Sequence, residues 1–298
     1  MRVVGVFGPT ASGKSDVAAA ICDLIPAEVV SADAMQVYTG LPILTNRSPH
    51  AERLVGIWPL THEASVGEYA PLAHAEIDEI AGAGRTPLVV GGTGLYFRAA
   101  LAQLSLPPKP PEGARERWSR LYDDGGAAAA HALLTELDPA AGERIHPNDR
   151  RRVVRALELA EAGESLVPKE DRLFTGGWRH PTLVVGLEVP PAELNRRIEA
   201  RTRRMFELGV AAEVRRALAG TELSPTARKI LGLAEVVTLP REEAVATIVA
   251  RTRRYAAYQR KWMRRLEGLV MVAADRPPEE TAAEIVALAR TRERLSRP

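Results

Sequence analysis

Val3-Val4-Gly5-Val6-Phe7-Gly8-Pro9-Thr10-Ala11-Ser12-Gly13-Lys14-Ser15 is a β-branched run that breaks into a glycine turn and then into a helical pattern. Residues 8–15 fit the spacing G-x-x-x-x-G-K-[ST], and they stand after a strand and at the opening of a helix, where such a loop must stand. Loop N–H groups there converge on a polyanion and the helix presents its positive end. Lys14 adds a point charge, and the Ser15 hydroxyl suits Mg²⁺. Gly8, Thr10, Ala11, Ser12, Gly13, Lys14 and Ser15 are the candidate phosphate-binding residues. The pattern does not say which phosphate ester they hold.

Outward from this loop, further apolar runs at residues 28–31, 88–90, 183–189 and 269–272 alternate with helical patterns. That alternation predicts an α/β fold: a P-loop parallel-sheet core with helices on both faces. The character changes at Pro107-Pro108-Lys109-Pro110-Pro111, and residues 115–162 read as purely helical before Gly176-Gly177. A mainly helical insertion domain is expected over 112–177, with the catalytic core over 1–111 and 178–298. In 242–266 an apolar face recurs at three- and four-residue steps, so Tyr255 and Trp262 read as packing residues before base-stacking ones.

Composition narrows the class. The 298 residues are 46% hydrophobic and 26% charged, with 40 basic and 38 acidic side chains and a net charge of +2, so the whole chain demands no polyanionic partner. No apolar run approaches the roughly 18 residues of a membrane span, and the first residues lack a signal-peptide pattern, so a cytoplasmic location is expected. The lone Cys22 excludes an internal disulfide and reads as a buried helix position. The six histidines show no metal-ligand spacing. Charge is unevenly spread: residues 244–266 contain no acid but carry Arg251, Arg253, Arg254, Arg260, Lys261, Arg264 and Arg265. Smaller clusters stand at Arg150 to Arg155 and at Arg196 to Arg204. Each is either a solvated face or part of a local anion site.

Three more features point to chemistry. Asp33 closes the second apolar run, which places it at the carboxyl edge of the sheet beside the P-loop, as a general base or metal partner or as a cap. Gly91-Gly92-Thr93-Gly94 closes the next run; Thr93 either meets a phosphate oxygen or caps the following helix. Arg197 and Arg201, four apart on one helix face, either neutralise a departing phosphate or are solvated.

The order of these motifs, with Ser31-Ala-Asp33-Ala-Met-Gln36-Val-Tyr38, Gly91-Gly-Thr-Gly-Leu-Tyr96, Arg155-Ala-Leu-Glu158 and Thr252-Arg-Arg-Tyr255 before Gln259 and Trp262, resembles the tRNA dimethylallyltransferase (tRNA isopentenyltransferase) family over nearly the whole chain. The resemblance implies transfer of the dimethylallyl group of dimethylallyl diphosphate to N6 of the adenine 3′-adjacent to the anticodon in tRNA, with Mg²⁺ as cofactor and Ser15 as its ligand. It implies Asp33 as proton acceptor, Thr93 beside the reacting groups, and Arg197 or Arg201 at the leaving diphosphate. For tRNA binding it implies Asp33, Ala34, Met35, Gln36, Thr93, Arg115, Arg151, Arg152, Val153, Val154 and Arg155. Ala34-Met35 stands where Ser-Arg is commoner in the family. A monomer is expected, with no membrane partner. Competing readings are prenylation of free adenine nucleotides, a P-loop small-molecule kinase, and a non-enzymatic RNA-binding module.

Overall fold

Each apolar run becomes a strand because both faces of a parallel sheet are covered, so continuous Val and Leu runs are buried on either side. The structure, a computed structural model, describes residues 3–104, 110–167 and 177–295. Strands β1 (Val3–Phe7), β2 (Ala27–Ala32), β3 (Glu52–Arg53), β4 (Thr86–Gly91), β5 (Thr182–Glu188) and β6 (Val270–Ala273) form one parallel sheet, ordered β3-β2-β4-β1-β5-β6. The two-residue edge strand β3 has no apolar run to betray it.

The chain forms two compact units, Met1–Gln103 with Gly176–Pro298, and Leu104–Thr175. In the first, helices α1 (Lys14–Leu24), α2 (Val66–Gly82) and α3 (Gly94–Leu101) precede the second unit. In that second unit lie α4 (Ala114–Leu137), α5 (Pro139–Arg144) and α6 (Arg150–Glu161). After it come α7 (Pro191–Glu207), α8 (Val210–Leu218), α9 (Leu233–Thr238), α10 (Arg241–Met263) and α11 (Pro278–Leu295). Alternation along β1 sorts the layers. Val4 and Val6 join Val17 and Ile21 of α1, Ile198 of α7, Val249 of α10 and Ile285 of α11 in one core. Phe7 points the other way and meets Phe97 of α3 edge-on at 5.1 Å. A Cβ at Gly5 would lie 2.8 Å from that same ring, so glycine there lets α3 sit down on the sheet.

The helical reading of 115–162 is corrected in its continuity. Gly126 (φ 80°, ψ 162°) breaks α4, and the Asp138 and Asp149 carboxylates start new helices by accepting from Ala141 N–H and Arg152 N–H. Val153 and Val154 are also corrected. Their side chains are buried, Val153 packing with Ala130, Leu134 and Leu157, so they anchor α6 and offer no side chain to RNA. Cys22 is half-buried rather than buried. Among the expected hinge residues, 107–109 and 176 lie outside the described residues.

Candidate active site

The carboxyl edge of the sheet gathers the P-loop, the residues after β2 and the end of β4 at Gly91 around a cavity of about 630 Å³. The loop reverses through left-handed backbone at Ala11 (φ 64°) and Gly13 (φ 87°). Such a conformation costs a non-glycine residue roughly 1 kcal/mol or more, and ligand sites are where that strain is found. Gly13 is the N-cap of α1 and no side chain caps this helix, which leaves its first N–H groups to the cavity. The Ser12 hydroxyl is buried without a partner, as a hydroxyl waiting for an anionic oxygen would be. Lys14 Nζ wraps back to the Pro9 carbonyl at 2.9 Å. Three loop donors are already spent: Gly8 N–H on the Gly91 carbonyl at 3.3 Å, Ser12 N–H on the Pro9 carbonyl, and Thr10 N–H on Gln259 Oε1 at 2.8 Å. Thr10 therefore shapes the cradle, but its N–H is not a phosphate donor.

Asp33 follows β2 and is half-buried in the same cavity. Its Oδ1 accepts from Met35 N–H at 2.8 Å, which fixes a turn rather than capping a helix, and among the described residues nothing hydrogen-bonds the second oxygen. Thr93 is the N-cap residue of α3, yet its side chain does not cap that helix. Instead Oγ1 accepts from Ala34 N–H at 3.3 Å and meets the Tyr255 hydroxyl at 3.2 Å, tying the Asp33 turn to α10. Gln259 completes the frame. Its Nε2 donates to the Gly92 carbonyl at 2.9 Å while its Oε1 holds the P-loop. Trp262 lies against Gly94, where a Cβ would come within 2.1 Å of the indole, so it packs as expected, whereas Tyr255 belongs to the cavity.

The electrostatics are cationic and crowded. Burial, with Arg201 adding to it, holds the Lys14 amine down at about 8 against the opposing pull of Asp33 and Glu52. Burial takes Arg201 down to about 10, against the pull of Asp33. Arg201 Nε is buried without a partner, so this side chain is free to meet an anion. Arg197 also lines the cavity, but it spends Nε on Glu193 at 2.7 Å and Nη1 on the Ala274 carbonyl at 3.1 Å. Glu52, from β3, is a second carboxylate at the cavity, and its pKa is raised first by burial and then by Asp33. A pH dependence follows. A polyanion binds the protonated Lys14, so pyrophosphate affinity should fall as pH rises through about 8, while Arg201 keeps its charge. Calorimetric titration from pH 7 to 9.5 reads this, and Lys14→Met compared at each pH cancels the ligand's own ionisation. An equal pH response in the variant would assign the proton elsewhere.

The other candidates divide. Ala34 and Met35 stay at the site, Ala34 through its N–H and Met35 in the cavity wall. Gln36 lines the cavity too and holds the loop that carries Arg47: it accepts from Ser31 Oγ, and its Nε2 donates to the Thr45 and Asn46 carbonyls. In the second unit, Arg115 and Arg155 close on the buried Glu158 carboxylate at 2.9 Å each, while Arg151 and Arg152 are exposed. Sequence reading missed Gln259, Glu52 and Arg47. Only the spacing of Gln259 from Tyr255 on one helix face signalled any of them.

A family model described as IPP transferase matches residues 36–266. The chain belongs to the IPP transferase family. Two relatives called tRNA dimethylallyltransferase bracket its length. That of Corynebacterium jeikeium is 39% identical over 300 residues, covering 95% of both chains, and that of Anaeromyxobacter dehalogenans is 39% identical over 297, covering 96% of this chain and 99% of its own. Among solved structures, the tRNA isopentenylpyrophosphate transferase of Bacillus halodurans superposes with a TM-score of 0.69 at 29% identity, covering 99% of this chain and 98% of that one. A eukaryotic dimethylallyltransferase acting on tRNA shares the fold at a TM-score of 0.79 and 23% identity, covering all of this chain and 80% of that one. The P-loop parallel-sheet core is thus that of IPP transferases. Among the described residues of this IPP transferase, no helix is long and apolar enough to cross a membrane.

Proposed function

We propose that this protein transfers the dimethylallyl group from dimethylallyl diphosphate to N6 of the adenine 3′-adjacent to the anticodon in tRNA. The observation that carries the reading is the meeting in one cavity of Asp33, whose second carboxylate oxygen has no hydrogen-bond partner among the described residues, with an uncapped helix start, Lys14 and Arg201. In this reading the exocyclic amine attacks the allylic carbon, the carbon–oxygen bond to diphosphate breaks, and the N6 proton passes to Asp33. An amine conjugated to a purine is a weak nucleophile, so a base within hydrogen-bond reach matters. The backbone N–H groups of α1, Ser12 Oγ, Lys14 and Arg201 stabilise the charge that grows on the departing diphosphate. Thr93 and Tyr255 fix the turn that aims Asp33.

Mg²⁺ fits this donor set. It favours one or two protein oxygens plus phosphate oxygens and water, and the Ser15 hydroxyl faces the diphosphate cradle. Among the described residues no cluster of three or more His, Cys, Asp or Glu offers a site for a protein-caged metal. When bound there, Mg²⁺ would neutralise diphosphate charge. We infer also that the protein works in the cytoplasm, as a monomer.

Mass spectrometry of nucleosides from tRNA incubated with the protein and dimethylallyl diphosphate tests the reading, with AMP and ATP offered in parallel. N6-dimethylallyladenosine in tRNA is expected. Prenylated AMP alone, or phosphate transfer from ATP, would overturn it.

A further inference from the structure

The basic residues of α7 and α10 are not equivalent once their partners are known. On α7, Arg196 pairs with Glu193, Arg203 with Glu199 and Glu242, and Arg204 with Glu207. At the start of the acid-free stretch of α10, Arg251 pairs with Glu235 and Arg253 with Glu199. Those cations are neutralised in place, and exposed pairs of this kind are solvated surface. Beyond them the pattern stops. Arg254, Arg260, Lys261 and Arg264 are all exposed, and none of them forms an ion pair with a described residue. Tyr258 stands in their midst with 54% of its surface exposed.

Helical spacing aligns these residues. Arg254, Tyr258 and Lys261 follow at steps of four and three, so they share one stripe along α10. Tyr258 is also three residues from Tyr255, which lines the catalytic cavity, so the ring lies one step outward from the cavity wall. The buried side of α10 is fixed to that cavity by Gln259 and Tyr255, which gives the stripe a constant position beside the reacting centre. An exposed aromatic ring among unneutralised cations is costly to solvate and of no use to the core. It matches a polyanion whose charges alternate with flat apolar faces, which is single-stranded RNA.

We propose that Arg254, Tyr258 and Lys261 form a nucleotide-binding surface, on which Tyr258 stacks an unpaired base next to the reactive adenine while the cations hold flanking phosphates. This deepens, and rests on, the tRNA reading above.

The test uses the full chain and a fluorescently labelled anticodon stem–loop RNA, read by anisotropy across a salt series. Tyr258→Ala should weaken binding roughly tenfold, at the lower end of what a base–aromatic stack contributes. Tyr258→Phe should restore it, since the face and not the hydroxyl is used. Arg254→Gln with Lys261→Gln should flatten the slope of log affinity against log salt by about 1.4, about 0.7 per phosphate of a single strand. Pyrophosphate affinity should be unchanged in all three variants, which shows that the cavity is intact. RNA affinity equal to wild type in Tyr258→Ala overturns the proposal, and the stripe then serves an acidic protein or solvent. Prenyl transfer by the wild-type chain to the same RNA is measured alongside: its absence defeats the proposed function, whereas normal transfer with an indifferent Tyr258 defeats this surface alone.

Discussion

Asp33→Asn is expected to lower kcat for prenyl transfer by about 10² to 10⁴, the range assigned to removal of a positioned general base. Asparagine is nearly isosteric, and its carbonyl oxygen still accepts from Met35 N–H, so the turn that Asp33 closes survives. Ala34 N–H therefore keeps its bond to Thr93 Oγ1, and the cradle around Lys14 is untouched. What disappears is the anionic oxygen that takes the N6 proton. RNA and pyrophosphate affinity should stay within a few-fold of wild type, so the loss falls on kcat and not on KM. Asp33→Ala should be no more active, and it should also lose stability because Met35 N–H is left without its acceptor. Single-turnover transfer, with quantities of enzyme above those of RNA, isolates the chemical step. Wild-type turnover in Asp33→Asn would transfer the base to one of the other carboxylates at the cavity, Glu52 or Asp16.

The division between what was legible and what was not follows the range of the interactions. The P-loop, Asp33 and Thr93 were readable because each sits where a strand stops, and a parallel sheet delivers all its carboxyl ends to one edge. The five longer strands announced themselves as apolar runs, while β3, two residues held at an edge by pairing Val29 with Glu52, carries no such signal. Thr10 and Gln36 reach the cavity as read, but part of their polar capacity was not legible for a common reason: it is taken up by residues far along the chain or in a neighbouring loop, Gln259 for the Thr10 N–H and Thr45 with Asn46 for the Gln36 amide. Val153 and Val154 were carried along inside a basic motif, although a valine pair within a helix answers first to burial. The basic run of α10 looked uniform in sequence because the partners of Arg251 and Arg253, Glu235 on α9 and Glu199 on α7, stand on other elements.

Gln259→Leu is the substitution expected to cost both stability and rate most heavily outside the reacting groups themselves. The side chain is 2% exposed and bonds backbone on both sides, Thr10 N–H in the P-loop and the Gly92 carbonyl after β4. Leucine fills the space and leaves both groups unpaired in a dry place. Each orphan costs about 1–3 kcal/mol, so the sum is about 2–6 kcal/mol. For a chain of this size that lowers Tm by roughly 3–10 °C. The two bonded groups belong to the loop that holds the leaving group and to the turn that carries Thr93, so their separation sets where Asp33 stands relative to the diphosphate. A displacement near 1 Å between them is enough to lose about 10² in rate. Pyrophosphate discriminates this from simple loosening. A cradle that keeps its shape gives the variant the same ligand-induced rise in Tm as wild type, and a displaced cradle gives a smaller one. Gln259→Glu should be intermediate in Tm, since it still accepts from Thr10 N–H but opposes a carboxylate oxygen to the Gly92 carbonyl. Gly92→Ala attacks the same joint from the other side, because its Cβ would lie 2.3 Å from Gln259 Nε2 and 2.9 Å from the Gly8 carbonyl. If Gln259→Leu and Gly92→Ala both kept wild-type Tm and turnover, the two loops would be held in register by the sheet alone, and α10 would be a lid without a structural share in the site.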